Sequence, residues 1–194
     1  MTPLDPASDE ALARLAAAGD EQAFAQLVRR HKEPLYRLIR RYTGDPEQAY
    51  EATHEAFIAA WRTLARYDAN RSFLAWLRTI AFNKARDLAR RRAVRSFLLG
   101  SEAMEDEGAT VADEGGADAE AALIARQETA ALDRAIASLP AKLKEALLLT
   151  VFDGQSQKTA GEILGVSEKT VETRVYRARK LLAERLDPGL RPRA

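Results

Sequence analysis

The residues best placed to do chemistry lie in "GVSEKTVETRVYRARK", positions 165–180. Lys169, Arg174, Arg177, Arg179 and Lys180 put five cations into one short run of helical period, with Glu168 and Glu172 among them. Such a helix is either a solvated face or a surface that meets phosphate. The longer stretch "SQKTAGEILGVSEKTVETRVYRARKLL" has the spacing of a helix-turn-helix. Gly161 is small where two helices must approach closely, and Ile163 and Leu164 point to a core. Gly165 permits the turn, Val166 plugs beneath it, and Ser167 caps the second helix. Val171, Val175 and Leu182 form the buried stripe of that helix. Left facing outward are Lys169, Thr170, Glu172, Thr173, Tyr176 and Arg177: donors, one acceptor and an aromatic near the N-terminal half. Recognition helices present such groups to base edges in the major groove from that end. The small residue, the turn glycine and the cap fall together, which favours DNA binding over an ordinary amphipathic hairpin.

Other chemistries lack their constellations. Glu51-x-x-His54 matches half of a di-iron bundle motif but occurs once, and "HEAFI" lacks the second histidine of a zinc-protease helix. His31 lies outside that pattern, and no glycine-rich phosphate loop or serine elbow is present. Without cysteine there is no disulfide framework and no thiolate metal site. The expectation is a protein that is not an enzyme, with no metal and no cofactor. The net charge of +1 over 194 residues means that attraction to phosphate must come from local segregation of charge. The opening "MTPLDPASDEALARL" shows no secretory pattern, and runs such as "ALLLTVF" are far too short to span a bilayer. A soluble, cytoplasmic protein with no direct membrane insertion is expected.

The elements that must carry these residues are helices. Alanine, leucine, arginine and glutamate dominate, and apolar residues recur at spacings of three and four. A helix through "DEALARLAAA" ends at Gly19, and Asp20 caps a second, running to about Tyr42, with Phe24, Leu27, Val28, Leu35 and Ile39 inward. Asp45 and Pro46 open a third, reaching about Ala65, with Ala49, Ala56, Ala60 and Leu64 inward. "YDANRS" breaks the pattern, and Ser72 caps a long helix striped by Phe73, Trp76, Leu77, Ile80 and Leu88. Charge then changes sign. Lys84 to Arg95 holds six bases against Asp87, a net of +5, whereas Ser101 to Glu120 holds eight acids and no base. Such a stretch buries too little to fold and reads as a linker. Helical period returns after about Ala121 with Leu132, Ile136 and Leu139, then Leu143, Leu147 and Val151 beyond Pro140. The fold class is therefore all-α: two small helical bundles, 1–99 and 126–194, joined by a flexible acidic linker at 100–125, with the helix-turn-helix in the second.

In this order, "DEQAFAQLVRRHKEPLYRLIRR", "EATHEAFIAAWRTLARYD", "SFLAWLRTIAFNKARDLARRR" and "LPAKLKEALLLTVFDGQSQKTAGEILGVSEKTVETRVYRARKLL" resemble a bacterial RNA polymerase sigma factor of the extracytoplasmic-function type. The resemblance spans nearly everything but the acidic tether. "FNKARDLARRRAVRSFLLG" further resembles the subset tied to heavy-metal (cobalt–nickel) resistance. What the resemblance implies is a promoter-specificity subunit that binds core polymerase, reads the −35 and −10 elements, helps melt the promoter and is held by an anti-sigma factor. The helix around Glu51, His54, Glu55, Phe57, Ile58 and Trp61 would dock on the polymerase; "EATHEAF" stands where the family more usually has a "DLVQEAF"-like run. The loop Tyr67–Arg71, with Tyr67, Asn70 and Arg71, and the helix face bearing Asn83, Arg86 and Arg90 would read the −10 element.

Promoter melting needs a base caught out of the stack and a basic groove beside an aromatic for the freed strand. The second helix of the helix-turn-helix would read −35, with Glu172 standing where relatives often carry Lys or Arg. Two sites two DNA turns apart lie about 70 Å from each other. A coil of about 25 residues averages about 27 Å and reaches about 85 Å extended, so the tether would be held stretched. A stand-alone regulator with a sensory or dimerising N-terminal bundle would share the C-terminal module. It would not need the basic helix beside a loop in "YDANRSFLAWLRTIAFNKARDLARRR".

Overall fold

Capping chemistry sets where the chain starts and stops its helices. The computed structural model describes residues 8–68, 71–99 and 117–186. Asp20 accepts from the Gln22 and Ala23 amides to open α2 (Glu21–Thr43), which follows α1 (Asp9–Ala17). Gly44, in the left-handed region at φ 76°, closes α2, and Asp45 then caps α3 (Pro46–Thr63) through the Glu47 and Gln48 amides. A 3₁₀ turn, Leu64–Arg66, ends that helix. Ser72 Oγ accepts from the Ala75 amide, 3.3 Å away, at the start of α4 (Phe73–Leu99).

The first module buries Leu27, Leu35 and Ile39 of α2 against Phe73, Leu77 and Phe82 of α4. Between them α3 contributes a row of small residues, Ala49, Ala52, Ala56 and Ala60, which lets the helices approach closely. α1 buries Leu12, Ala13 and Ala16 against this core, and its Asp9 reaches Arg30 at 2.9 Å and His31 at 2.6 Å. Its neighbour Glu10 accepts from the Phe73 amide at 3.3 Å, which satisfies one orphan donor of α4.

The second module comprises α5 (Ala117–Ala137), α6 (Ala141–Leu147), a π turn at Leu148–Phe152, α7 (Gln157–Leu164) and α8 (Glu168–Leu186). α5 begins inside the interval 100–125 assigned to the linker; residues 100–116 lie outside the described ones. Ile136, Leu147, Leu148, Leu149 and Val171 are its fully buried large side chains. Val151 does not follow Leu143 and Leu147 inward: it is 46% exposed. The π turn is the reason. Its i→i+5 hydrogen bonding puts more residues into the turn, so Phe152, five beyond Leu147, takes the inward position beneath the Arg41 guanidinium, 4.5 Å from the ring centre.

The two modules pack against one another, α4 on α7 and α2 on α5 and the π turn. Gly44 sits in this contact: a Cβ there would lie 2.8 Å from Ala137 Cβ. Arg78 of α4 pairs with Asp153, and Thr79 Oγ1 donates to the Ile163 carbonyl at 3.0 Å. Among the described residues no helix is long and apolar enough to cross a membrane.

Candidate interfaces for DNA and a protein partner

The helix-turn-helix forms because α7 and α8 can touch through a residue without a side chain. A Cβ on Gly161 would lie 2.7 Å from the Val166 carbonyl oxygen, closer than van der Waals contact allows. Gly165 takes φ 65° in the turn, and Ser167 Oγ accepts from the Thr170 amide at 3.2 Å to start α8. Val171, Val175 and Ala178 are buried. The opposite face carries Lys169, Glu172, Thr173, Tyr176 and Arg177, all exposed, Tyr176 to 70%. Thr173 Oγ1 donates back to the Lys169 carbonyl, and Thr170 Oγ1 is engaged with Ser167 Oγ at 2.8 Å. The structure thus brings the six residues together on one face, with Thr170 half-buried at its edge.

The loop between α3 and α4 is built on an aromatic cluster. The Tyr67 ring lies 5.8 Å from Phe73 and 5.1 Å from Trp76 between ring centres, and its hydroxyl donates to the Arg71 carbonyl. Burial, with the carboxylates of Glu10 and Asp68 nearby, pushes the Tyr67 hydroxyl up to about 12. Asn70 lies outside the described residues. Along α4, Asn83 and Arg86 are exposed and joined, the guanidinium donating to Asn83 Oδ1 at 2.6 Å. Arg90 is exposed one turn on, 3.8 Å from Asp87. Arg92, in the same cationic run, is tied to the α3 cap Asp45 at 2.9 Å. Arg71, Asn83 and Arg86 line one cleft of about 770 Å³, whose other wall is Glu162 to Gly165 of the second module.

A third surface is apolar. Between α2 and α3 runs a groove of about 900 Å³ lined by Phe24, Val28, Tyr36, His54, Phe57 and Trp61 among others. Phe24 meets Phe57 edge-on at 6.5 Å and Trp61 at 4.9 Å. Ile58 lines it too, and exposed His54 stacks on Tyr50. Thr53 Oγ1, buried beneath, has no hydrogen-bond partner, a polar point in an apolar floor. Glu51 and Glu55 are outside the groove: Glu51 is exposed and Glu55 pairs with Lys84 of α4 at 3.2 Å. The contribution of α2 was missed by the sequence reading, which placed Phe24 and Val28 in the core. Their spacing of four, resumed at Tyr36 after Lys32 interrupts it, is the signal of a second apolar edge on that helix.

Comparison with known proteins follows the same division. Residues 27–95 match the Sigma-70 region 2 family and residues 129–182 the Sigma-70 region 4 family. The chain is 42% identical over 178 residues to RNA polymerase sigma factor NccH of Alcaligenes xylosoxydans, covering 92% of this chain and 94% of that protein. It is 40% identical to RNA polymerase sigma factor CnrH of Cupriavidus metallidurans, covering 96% and 97%. With the ECF RNA polymerase sigma factor SigW of Bacillus subtilis it shares 33% over 87% and 91%. Among solved structures, CnrH in complex with the cytosolic domain of CnrY superposes with a TM-score of 0.69 at 32% identity, covering 93% of this chain and 97% of that one.

Proposed function

The chain belongs to the sigma-70 family of RNA polymerase sigma factors, of the extracytoplasmic-function type, and on that premise we propose how its three surfaces divide the work. The second module reads duplex −35 DNA through Lys169, Thr170, Glu172, Thr173, Tyr176 and Arg177. The loop Tyr67–Arg71 and the α4 face with Asn83, Arg86 and Arg90 engage the −10 element. The α2–α3 groove, with His54, Phe57, Ile58 and Trp61, receives an apolar helical segment of core polymerase. Glu51 and Glu55 act at its charged margin.

The observation that carries this reading is the pairing, in one chain, of an outward polar face on α8 with an apolar groove in a separate module. A DNA-reading helix alone would serve any regulator, whereas the groove supplies a docking site for a protein partner. The protein works by binding and has no catalytic role of its own. Chemistry belongs to the polymerase, which this subunit positions on a promoter. Because CnrH is known in complex with CnrY, and the chain aligns with CnrH nearly end to end, an anti-sigma protein is the expected inhibitor. Higher identity to NccH and CnrH than to SigW supports the heavy-metal-resistance subset. A protein that works on promoters is expected in the cytoplasm.

Reconstitution tests the reading. Purified chain mixed with core polymerase and fragmented genomic DNA is expected to give transcripts from a small set of shared start sequences, none of them made by core alone. A stand-alone regulator would instead bind its duplex site tightly without polymerase and start nothing.

A further inference from the structure

The loop proposed to read −10 leans on a helix outside the family match. Residues 27–95 carry the region 2 match, and α1 ends before it, at Ala17. Yet α1 packs on the 3₁₀ turn and on α4, the two elements that bracket the loop. Ion pairs of Asp9 with Arg30, at 2.9 Å, and His31, at 2.6 Å, help fix α1 there. The His31 ring lies 6.1 Å from that of Phe73. Held in this place, Glu10 Oε1 accepts from the Phe73 amide at 3.3 Å, while Ser72 Oγ accepts from the Ala75 amide. α4 therefore starts on two acceptors, one of them 63 positions upstream. A carboxylate at that spot also meets the positive end of the helix dipole.

Phe73 ties that bond to the loop. It is fully buried and meets the Tyr67 ring edge-on at 5.8 Å, with Trp76 also 5.8 Å from it. Tyr67 clasps the far end of the loop: its hydroxyl donates to the Arg71 carbonyl, and the Arg71 amide donates to the Asp68 carbonyl at 2.9 Å. Burial first, and the Glu10 carboxylate after it, keep the proton on that hydroxyl. Arg71, Trp76, Asn83 and Arg86 line the cleft in front, and Glu10 does not. We propose that Glu10 is a positioning residue for −10 recognition, holding Tyr67 and Arg71, the two ends of the loop, in place through the Phe73 amide without touching DNA. The proposal rests on the −10 assignment made above. A base drawn from the stack is read by hydrogen bonds of defined direction, so a shifted loop loses discrimination before it loses attraction to phosphate. Arg86 and Arg90, on α4 itself, supply that attraction with or without Glu10.

The test uses the full chain in the holoenzyme, with competition among promoters that carry single substitutions in the −10 or the −35 element. Glu10→Ala is expected to lower preference for the native −10 sequence by about tenfold, the discrimination that one well-read base carries. Preference at −35 and affinity for core polymerase should not change. Glu10→Gln keeps an acceptor of the same length and is expected to restore most of the −10 preference. Should Glu10→Ala lose its helical circular dichroism, Asp9→Ala, which loosens α1 one residue away, carries the same expectation of a loss confined to −10. A folded variant with the parent's −10 preference overturns the proposal. So does an equal loss at both elements, which a merely destabilised chain would give, or a Glu10→Gln variant as impaired as Glu10→Ala. Failure of the −10 assignment looks different: Asn83→Ala and Arg86→Ala would then leave −10 preference intact as well. If those two shift it and Glu10→Ala does not, the assignment stands and only the role of Glu10 falls.

Discussion

Lys144 places its ammonium 4.6 Å from the centre of the Tyr42 ring and donates to that residue's own carbonyl at 2.7 Å. It also donates to the Ala137 carbonyl at 2.6 Å, so one buried cation gathers the ends of α2, α5 and α6.

Burial pulls the Lys144 ammonium down to about 8, against which the Glu145 carboxylate pulls upward. The folded value is below the unfolded one, so between about pH 8 and 10.5 the unfolded chain binds the extra proton. Stability therefore rises with pH in that window. Urea unfolding is expected to show a gain of about 1–2 kcal/mol between about pH 8 and 9.5. Above that, Tyr42 works the other way, because burial raises its hydroxyl and the unfolded tyrosine ionises first. Lys144→Met should flatten the rise; a slope that persists in the variant assigns it to another group.

Gly161→Ala tests the helix-turn-helix without touching any residue proposed to face DNA. The new methyl would lie 2.7 Å from a backbone oxygen, so α7 and α8 must move apart. A loss of about 1–3 kcal/mol is expected, with weaker −35 binding by the holoenzyme and unchanged affinity for core polymerase. An alanine variant as stable as its parent would mean that the hairpin relaxes freely.

Local chemistry was legible in the sequence: Asp20, Asp45, Ser72 and Ser167 announced the helix starts, and Gly165 the turn. These signals act over two to four residues, which is why spacing reveals them. The contact between modules was not legible. Arg78 and Asp153 are 75 positions apart, and nothing in either neighbourhood marks a buried partner. Lys144 and Glu145 read as solvent-facing on charge alone, yet they are only 8% and 3% exposed. The apolar run Leu147–Leu149 beside them was the available hint, since a helix apolar all round is buried on every side. The π turn at Leu148–Phe152 left no compositional trace, and the error at Val151 follows from it.

Glu172 is exposed on the α8 face proposed to read −35 DNA, between Lys169 and Tyr176. A carboxylate accepts from the cytosine amino group and repels phosphate, so its effect depends on the base opposite. Glu172→Ala is expected to change −35 discrimination by about 1–3 kcal/mol at one base pair, measured by competition among single-substitution promoters with the holoenzyme. A uniform change across all promoters would assign Glu172 to phosphate repulsion alone.

Trp61 and Phe57 share the groove but differ in what they hold. Phe57 is buried at 7% exposure, whereas Trp61 is 39% exposed and leans on Phe24 at 4.9 Å. Removing a buried phenyl leaves a cavity, so Phe57→Ala should cost about 3–5 kcal/mol of the chain's own stability. Trp61→Ala exposes little new core and should unfold near the parent's urea midpoint. Its loss should appear on docking instead, because a half-exposed indole lining an apolar groove is the kind of side chain that anchors a partner helix. A drop of about 2–4 kcal/mol in core-polymerase affinity is expected, read by fluorescence anisotropy of labelled chain. If Trp61→Ala binds core as tightly as the parent, the α2–α3 groove is not the docking surface, and the polymerase engages another face of α3.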